Sequence, residues 1–293
     1  MNSDNITIDI QRVELGILSE FQRICEKYGY RYFAIGGTCI GAIRHRGFIP
    51  WDDDIDVAMP AEDYYRFIDI AGAELSKPYR LVSPSDSRHY HLHYIRIENS
   101  ATTFIQDYVK SWPDRWGGIF MDIMPITGLP TDDRERKRYI RILSMYKGLN
   151  MLRRMPYGFS DLWSWKVLWP VFSIIKWIFP YDYFSHKIDE LRKKYPFSSS
   201  EDVLFSWTRH KTEDMRDKKN VFPYLDFSKT IKVQFEEQTI NVPIGYDHYL
   251  RADYGDYLEL PDEEKRVTVH PTVFIDIHNS YTKYKKTGIP TII

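Results

Sequence analysis

Cysteine is nearly absent from this chain: Cys25 and Cys39 are the two in 293 residues, and both stand among apolar neighbours. That scarcity excludes a disulfide framework and suits a reducing compartment. Neither thiol reads as a nucleophile, because Cys25 falls on the apolar face of a helix and Cys39 directly follows a glycine turn. An excess of either charge is missing too. Forty basic residues meet 41 acidic ones for a net charge of −1, which removes the broad basic footprint of a nucleic-acid binder while leaving room for local phosphate contacts. The opening MNSDNITIDIQ has neither the basic region nor the apolar core of a secretion signal, so a cytoplasmic location is expected. Aromatic residues, by contrast, are plentiful at 16%. They suit stacking on sugars or contact with an interface, and they also fill cores.

The stretch Arg31 to Pro60, RYFAIGGTCIGAIRHRGFIPWDDDIDVAMP, carries the chemistry. Tyr32 to Ile35 has the character of a buried strand, and Gly36-Gly37-Thr38 follows where a strand turns into a helix. Glycines there let a phosphate approach the backbone. The N–H groups and dipole of a helix over Cys39 to Arg44 would face that anion, with the Thr38 hydroxyl as a further donor. Next, Asp54 to Val57 alternate polar with apolar, and a period of two puts Asp52, Asp54 and Asp56 on one face. Carboxylates that close repel unless a cation lies between them. Hard oxygen ligands beside a phosphate cradle favour Mg²⁺ or Mn²⁺; a solvated acidic turn is the plainer alternative.

Around this stretch, Ile10, Val13, Ile17, Phe21, Ile24 and Tyr28 form the stripe of an amphipathic helix, and Asp63 to Leu75 reads as a second helix. His89 to Ile97 alternates as a strand, with His89, His91 and His93 on one face and Arg96 on the other. The histidines could bind zinc, but a flat strand rarely closes such a site, and Arg96 suits phosphate or a carboxylate partner. In Gly117 to Pro125 a single carboxylate, Asp122, sits inside an apolar run. It needs a partner, for which a shared metal or a strand-end cap would serve. From Asp132 to Lys194 helices rich in Arg, Lys and Trp are expected. Leu162 to Pro180 is nearly long enough to span a bilayer, but Pro170, Lys166 and Lys176 argue against that. Interfacial helices with basic flanks at Arg153, Arg154 and Lys187, or an insert packed on the core, are the two readings.

The string GGTCIGAIRHRGFIPWDDDID resembles the LicD family pattern, and Gly-Gly-Thr followed by Asp-Ile-Asp resembles the nucleotidyltransferase signature. The fukutin-type ribitol phosphate transferases are similar. The likeness returns near the C-terminus in Phe235-Glu236, Val242-Pro243, Tyr249-Leu250, Tyr254 to Tyr257 and Leu260-Pro261, with Asp262 where family members usually have proline. It implies an α/β (α+β) fold with a mixed nucleotidyltransferase-like sheet flanked by helices and a Trp-rich helical insertion. The expected organisation is a catalytic core over 1–131, an insertion over 132–200 and a C-terminal segment over 201–293 that closes the donor site. The implied activity is transfer of a phospho-alcohol from a CDP-alcohol to a sugar hydroxyl of a glycan or its lipid-linked precursor. The residues carried over are Asp54, Asp56 and Asp122 for the metal, and Asp122 or Asp52 as base. Gly36, Gly37, Thr38, Arg44, His45, Trp51, Arg96, Lys265, Arg266 and His270 fall to the substrates. Two rival readings stand beside it: a nucleotidyltransferase that moves the nucleotide itself, and a non-catalytic glycan-binding or membrane scaffold.

Overall fold

The computed structural model describes residues 3–87, 90–154, 170, 173–206, 220–268 and 270–290. Its first element is helix α1 (Ser3–Tyr28), whose apolar stripe is sunk completely: Ile17, Leu18, Phe21 and Ile24 have no exposed surface. Phe21 meets Tyr32 edge-on at 5.0 Å and Phe67 at 5.4 Å. In this way α1 covers the sheet rather than standing beside it.

The sheet runs β1-β2-β6-β4-β3, with β7 and β8 continuing from β6. Its strands are β1 (Phe33–Ala34), β2 (Ile55–Pro60), β3 (Tyr79–Val82), β4 (Ile95–Asn99), β6 (Phe120–Gly128), β7 (Asp202–Phe205) and β8 (Val221–Pro223). β6 is buried along its whole length, which is why its sequence is an almost unbroken apolar run. It pairs parallel with β2 and antiparallel with β4 and β7, so the sheet is mixed and the fold α+β. Helix α2 (Gly36–Arg44) follows β1 directly, and α3 (Ala61–Glu74) follows β2. β5 (Thr103–Gln106) pairs with β11 (Thr272–Asp276) in a small separate sheet, and helix α7 (Tyr281–Thr287) is the last element of the described chain.

Helices α4 (Asp133–Arg154) and α5 (Tyr183–Arg192) pack on each other beyond β6. Leu162 to Trp169, Val171 and Phe172 lie outside the described residues. Of that apolar stretch, residues 173–178 are helical, and Ile174, Trp177 and Ile178 are exposed, Trp177 at 88%. Among the described residues no helix is long and apolar enough to cross a membrane. Arg154 departs from the lipid-facing flank expected of it. It is fully buried and donates to the Pro84 carbonyl, the Tyr181 hydroxyl, Asp182 and Ser185, so it locks α4 onto the turn before α5.

The strand expected over His89–Ile97 is a second departure. Pairing begins only at Ile95, because the residues before it are claimed by side groups of neighbouring elements. The Tyr90 hydroxyl folds back onto the Tyr94 carbonyl at 2.9 Å, His93 bonds Asn150 of α4 at 3.2 Å, and Arg192 of α5 takes the His93 carbonyl. His91 instead lies edge-on to Tyr108 at 5.3 Å; His89 is outside the described residues. The two described histidines turn to different neighbours, and no shared face forms.

The C-terminal part returns to the start of the sheet. The hairpin β9 (Thr230–Phe235) and β10 (Gln238–Pro243) lies against β1 and α2, followed by helix α6 (Tyr246–Tyr254). Phe205, Phe222, Phe227 and Tyr249 pack on one another with ring centroids 4.9–6.0 Å apart, joining that part to β7 and β8. Truncating the central ring, Phe227→Ala, is expected to cost about 3–5 kcal/mol. Guanidinium unfolding should show this as a lower midpoint with an unchanged slope.

Candidate active site

Register assembles the site. Asp56 on β2 stands opposite Asp122 on β6, and Asp122 stands opposite Arg96 on β4. Residues opposite one another in a ladder point to the same face, so these three groups from separated parts of the chain share one side of the sheet. Asp122 lies where the sequence expects a third carboxylate. Both its oxygens are taken by the Arg96 guanidinium, at 2.5 and 3.1 Å, and that guanidinium stacks on Phe120 at 3.7 Å. Arg96 is therefore a carboxylate partner in this structure, and Asp122 has no lone oxygen.

Asp52, Asp53 and Asp54 precede β2 in irregular backbone, so the period of two does not govern them. Asp53, which strand alternation would turn away, faces the site: its carboxylate meets His270 Nδ1 at 3.1 Å, and His270 Nε2 lies 3.8 Å from Asp54. One ligand atom each from Asp53, Asp54 and His270 lies within 4.8 Å of the others. His270 comes from the far end of the chain and also meets the Phe120 ring edge at 5.8 Å.

The glycine turn closes the opposite side. Gly36 has a φ of +56°, a conformation glycine adopts without a Cβ penalty. A Cβ on Gly37 would come within 2.4 Å of an Asp52 oxygen, so only glycine lets α2 begin this close to the carboxylates. The Thr38 hydroxyl accepts the Asp56 N–H at 2.8 Å, tying the turn to β2. The Gly36 N–H donates to the Tyr249 hydroxyl at 2.8 Å, a link across the chain that no local pattern announces. The first-turn N–H groups of Gly37 and Thr38 precede any intrahelical partner.

The remaining expected residues divide. Arg44 donates to the carbonyls of Tyr257 and Glu259 at 2.6 and 2.9 Å, so it holds the closing segment. Trp51 lies between His45, edge-on at 6.5 Å, and the Arg266 guanidinium, 5.6 Å from its ring, which brings both ends of the chain to one rim. Lys265 is exposed and pairs with Asp262 at 2.8 Å.

The electrostatics are those of a site built for positive charge. Burial, then the charges of Asp54 and Asp53, raise the Asp52 acid to about 8. Burial raises Asp54 to about 6 against the pull of His270. Burial, Asp54 and Asp122 raise Asp56 well above the carboxylate range, and Asp56 Oδ1 is buried with no hydrogen-bond partner. Burial alone would depress His270, but its bond to Asp53 and the charge of Asp54 more than offset that, and its pKa is raised. Buried acceptor oxygens without donors are the sites a hard divalent cation fits.

Comparison with known proteins decides the family. Residues 29–137 match the nucleotidyltransferase domain of LicD/FKTN/FKRP proteins. The lipopolysaccharide cholinephosphotransferase LicD of Haemophilus influenzae is 30% identical over 270 residues, which cover 89% of this chain and 94% of that protein. The chain belongs to the LicD family. The human ribitol 5-phosphate transferase FKRP is 41% identical over 51 residues, 17% of this chain and 10% of that protein. The segment matched to the LicD-type domain holds the glycine turn, the aspartates, Arg96 and Asp122, whereas His270, Tyr249 and helix α1 lie outside it.

Each raised carboxyl binds a proton in the folded state at pH values where the unfolded chain has released it, so stability is lost as pH rises from about 4 toward 8. His270, raised above its unfolded value, gives stability below that value and loses it in the same direction. Without divalent ions, the melting temperature should fall between pH 5 and pH 8. Asp52→Asn should flatten the fall, as differential scanning fluorimetry across that range will show.

Proposed function

We propose that this LicD-family phosphotransferase moves phosphocholine, or a closely related phospho-alcohol, from a CDP-alcohol to a sugar hydroxyl of a cell-surface glycan or its lipid-linked precursor. The observation that carries the reading is the opposition of the Gly36-Gly37-Thr38 turn to a buried aspartate face with an unpartnered oxygen. The likeness to a lipopolysaccharide cholinephosphotransferase across most of the chain supports the choice of alcohol and acceptor.

The Gly37 and Thr38 N–H groups and the Thr38 hydroxyl would hold the donor phosphates at the first turn of α2. Trp51, His45 and Arg266 would form the rim over the donor, with the guanidinium and the indole as contacts for its base or its phosphates. Asp54 and Asp56 would hold Mg²⁺ or Mn²⁺, with Asp53 and His270 at one flank. When bound, such an ion supplies charge neutralisation for a pyrophosphate losing CMP. Asp122, expected from sequence to bind metal and act as base, would instead add negative charge while the Arg96 fork fixes its position. Removal of the acceptor hydroxyl proton would fall to Asp52 once a cation bound beside it has lowered its acid and displaced its own proton; its carboxyl lies against Gly37 and carries no arginine. The bond from the acceptor oxygen to the alcohol-bearing phosphorus forms as the bond from that phosphorus to the CMP oxygen breaks, and the proton passes to Asp52.

The organisation we favour is a catalytic core over 1–131, a helical insertion over 132–200 and a closing segment over 201–293. Exposed Ile174, Trp177 and Ile178 would rest this insertion on the cytoplasmic membrane face near a lipid-linked acceptor. Trp177→Ser should reduce co-sedimentation with anionic vesicles; equal pelleting of both proteins would remove that contact.

The central test is incubation with CDP-choline, Mg²⁺ and a candidate glycan, followed by mass spectrometry of glycan and nucleotide. Phosphocholine on the glycan with release of CMP is the expected result, and Asp56→Asn should lower the rate by roughly 100-fold or more while leaving the circular dichroism spectrum unchanged. Release of pyrophosphate would make the chemistry nucleotidyl transfer, and no product with any CDP-alcohol would end the reading.

A further inference from the structure

Helix α6 sends two tyrosines to the glycine turn, and they are used differently. Tyr249 is 1% exposed, and its hydroxyl is engaged by the Gly36 N–H. Tyr254 is the last residue of the helix. Gly255 turns the chain away behind it with a φ of +69°, and the Arg44 grip on the Tyr257 carbonyl fixes the backbone that follows. The Tyr254 side chain stands half exposed, at 51%, and among the described residues no hydrogen bond holds its hydroxyl. Yet that hydroxyl reaches inward: a Cβ on Gly36 would stand 3.5 Å from it and 3.7 Å from Asp56 Oδ2. The spot left free because residue 36 has no side chain is therefore walled on one side by a phenol. On the other side is the aspartate whose second oxygen is buried and unpartnered.

A surface tyrosine kept for packing alone buries its ring and turns its hydroxyl to water; this one leaves much of its surface in water and turns the hydroxyl toward a gap in the site. A phenol keeps its proton up to a pH of about 10, so the group is a hydrogen-bond donor at neutral pH. What fits between it and Asp56 is a small oxygen group that accepts from the phenol, and a cation shared with Asp56 would relieve any negative charge on it. We propose that Tyr254 is a substrate-contacting residue, its hydroxyl donating to a phosphate oxygen of the CDP-alcohol seated where a Gly36 side chain would stand. The inference rests on the phosphotransferase reading above, and it adds a contact from outside the segment matched to the LicD-type domain. Hydrogen bonds to charged oxygens are among the stronger ones, so the loss of this one is readable in donor affinity.

Isothermal titration calorimetry of the full chain in Mg²⁺, with CDP-choline and then CDP as titrant and no acceptor present, tests it. Tyr254→Phe keeps the ring and removes the hydroxyl; it should melt at the natural temperature and bind both nucleotides roughly tenfold more weakly, since both carry the diphosphate. Undiminished affinity for both would overturn the contact while leaving the phosphotransferase reading intact. A loss confined to CDP-choline would move the contact from the phosphates to the alcohol and overturn it as stated. Should Tyr254→Phe fail to fold, Gly36→Ala fills the same spot with a methyl group and should abolish binding of both nucleotides; a folded Gly36→Ala that binds them as tightly as the natural protein would equally overturn it. A natural protein that binds neither nucleotide would end the phosphotransferase reading, and the role of Tyr254 with it.

Discussion

Repulsion among buried carboxylates is the constraint around which this molecule is arranged. Asp52, Asp53, Asp54, Asp56 and Asp122 meet near the start of β2 and β6, where burial raises the cost of each charge and each neighbour raises it further. Left to itself such a group would move apart toward water. It is prevented by backbone: the β2 and β6 ladder fixes Asp56 beside Asp122, and the Thr38 hydroxyl pins the Asp56 amide. Among the described residues Arg96 and His270 face the cluster and pair with Asp122 and Asp53, while Asp56 Oδ1 is left without a hydrogen-bond partner. An arrangement that neutralises some of its acids and spares others is a receptor for positive charge.

The glycine turn is held with comparable care, and from a distance. Tyr249 receives the Gly36 amide, Arg44 grips the carbonyls of Tyr257 and Glu259, and the Glu236 carboxylate accepts the Phe48 amide at 2.9 Å. The residues after 230 thereby act as a brace behind a loop formed two hundred positions earlier. The aromatic cluster of Phe205, Phe222, Phe227 and Tyr249 gives that brace its rigidity, since a tyrosine packed on three rings has few places to put its hydroxyl.

What could be read from the sequence alone follows from how local each feature is. The α1 stripe and the Gly36-Gly37-Thr38 turn that opens α2 depend on periodicity and short motifs, and they were legible; that a later aspartate, Asp122, joins Asp56 was implied by the family resemblance. Asp53 was not, because alternation was extended into residues that precede the strand. The strand over His89 to Ile97 failed for a related reason: a period-two pattern of histidine and tyrosine carries no information about Asn150 and Arg192, whose bonds hold the backbone there in another shape. Arg44 looked like a phosphate ligand from its place in the motif, but its partners are carbonyls more than two hundred residues away.

Helix α1 has a consequence for how the molecule can be divided. It precedes the segment that sequence comparison matches to a domain, yet Phe21 is wedged between Tyr32 and Phe67, and Gln22 ties its side chain to the Tyr32 hydroxyl and the Thr239 carbonyl. An excised fragment 29–137 would present that bared apolar face to solvent and lose the brace as well. The unit that similarity delimits is thus smaller than the unit that can stand by itself.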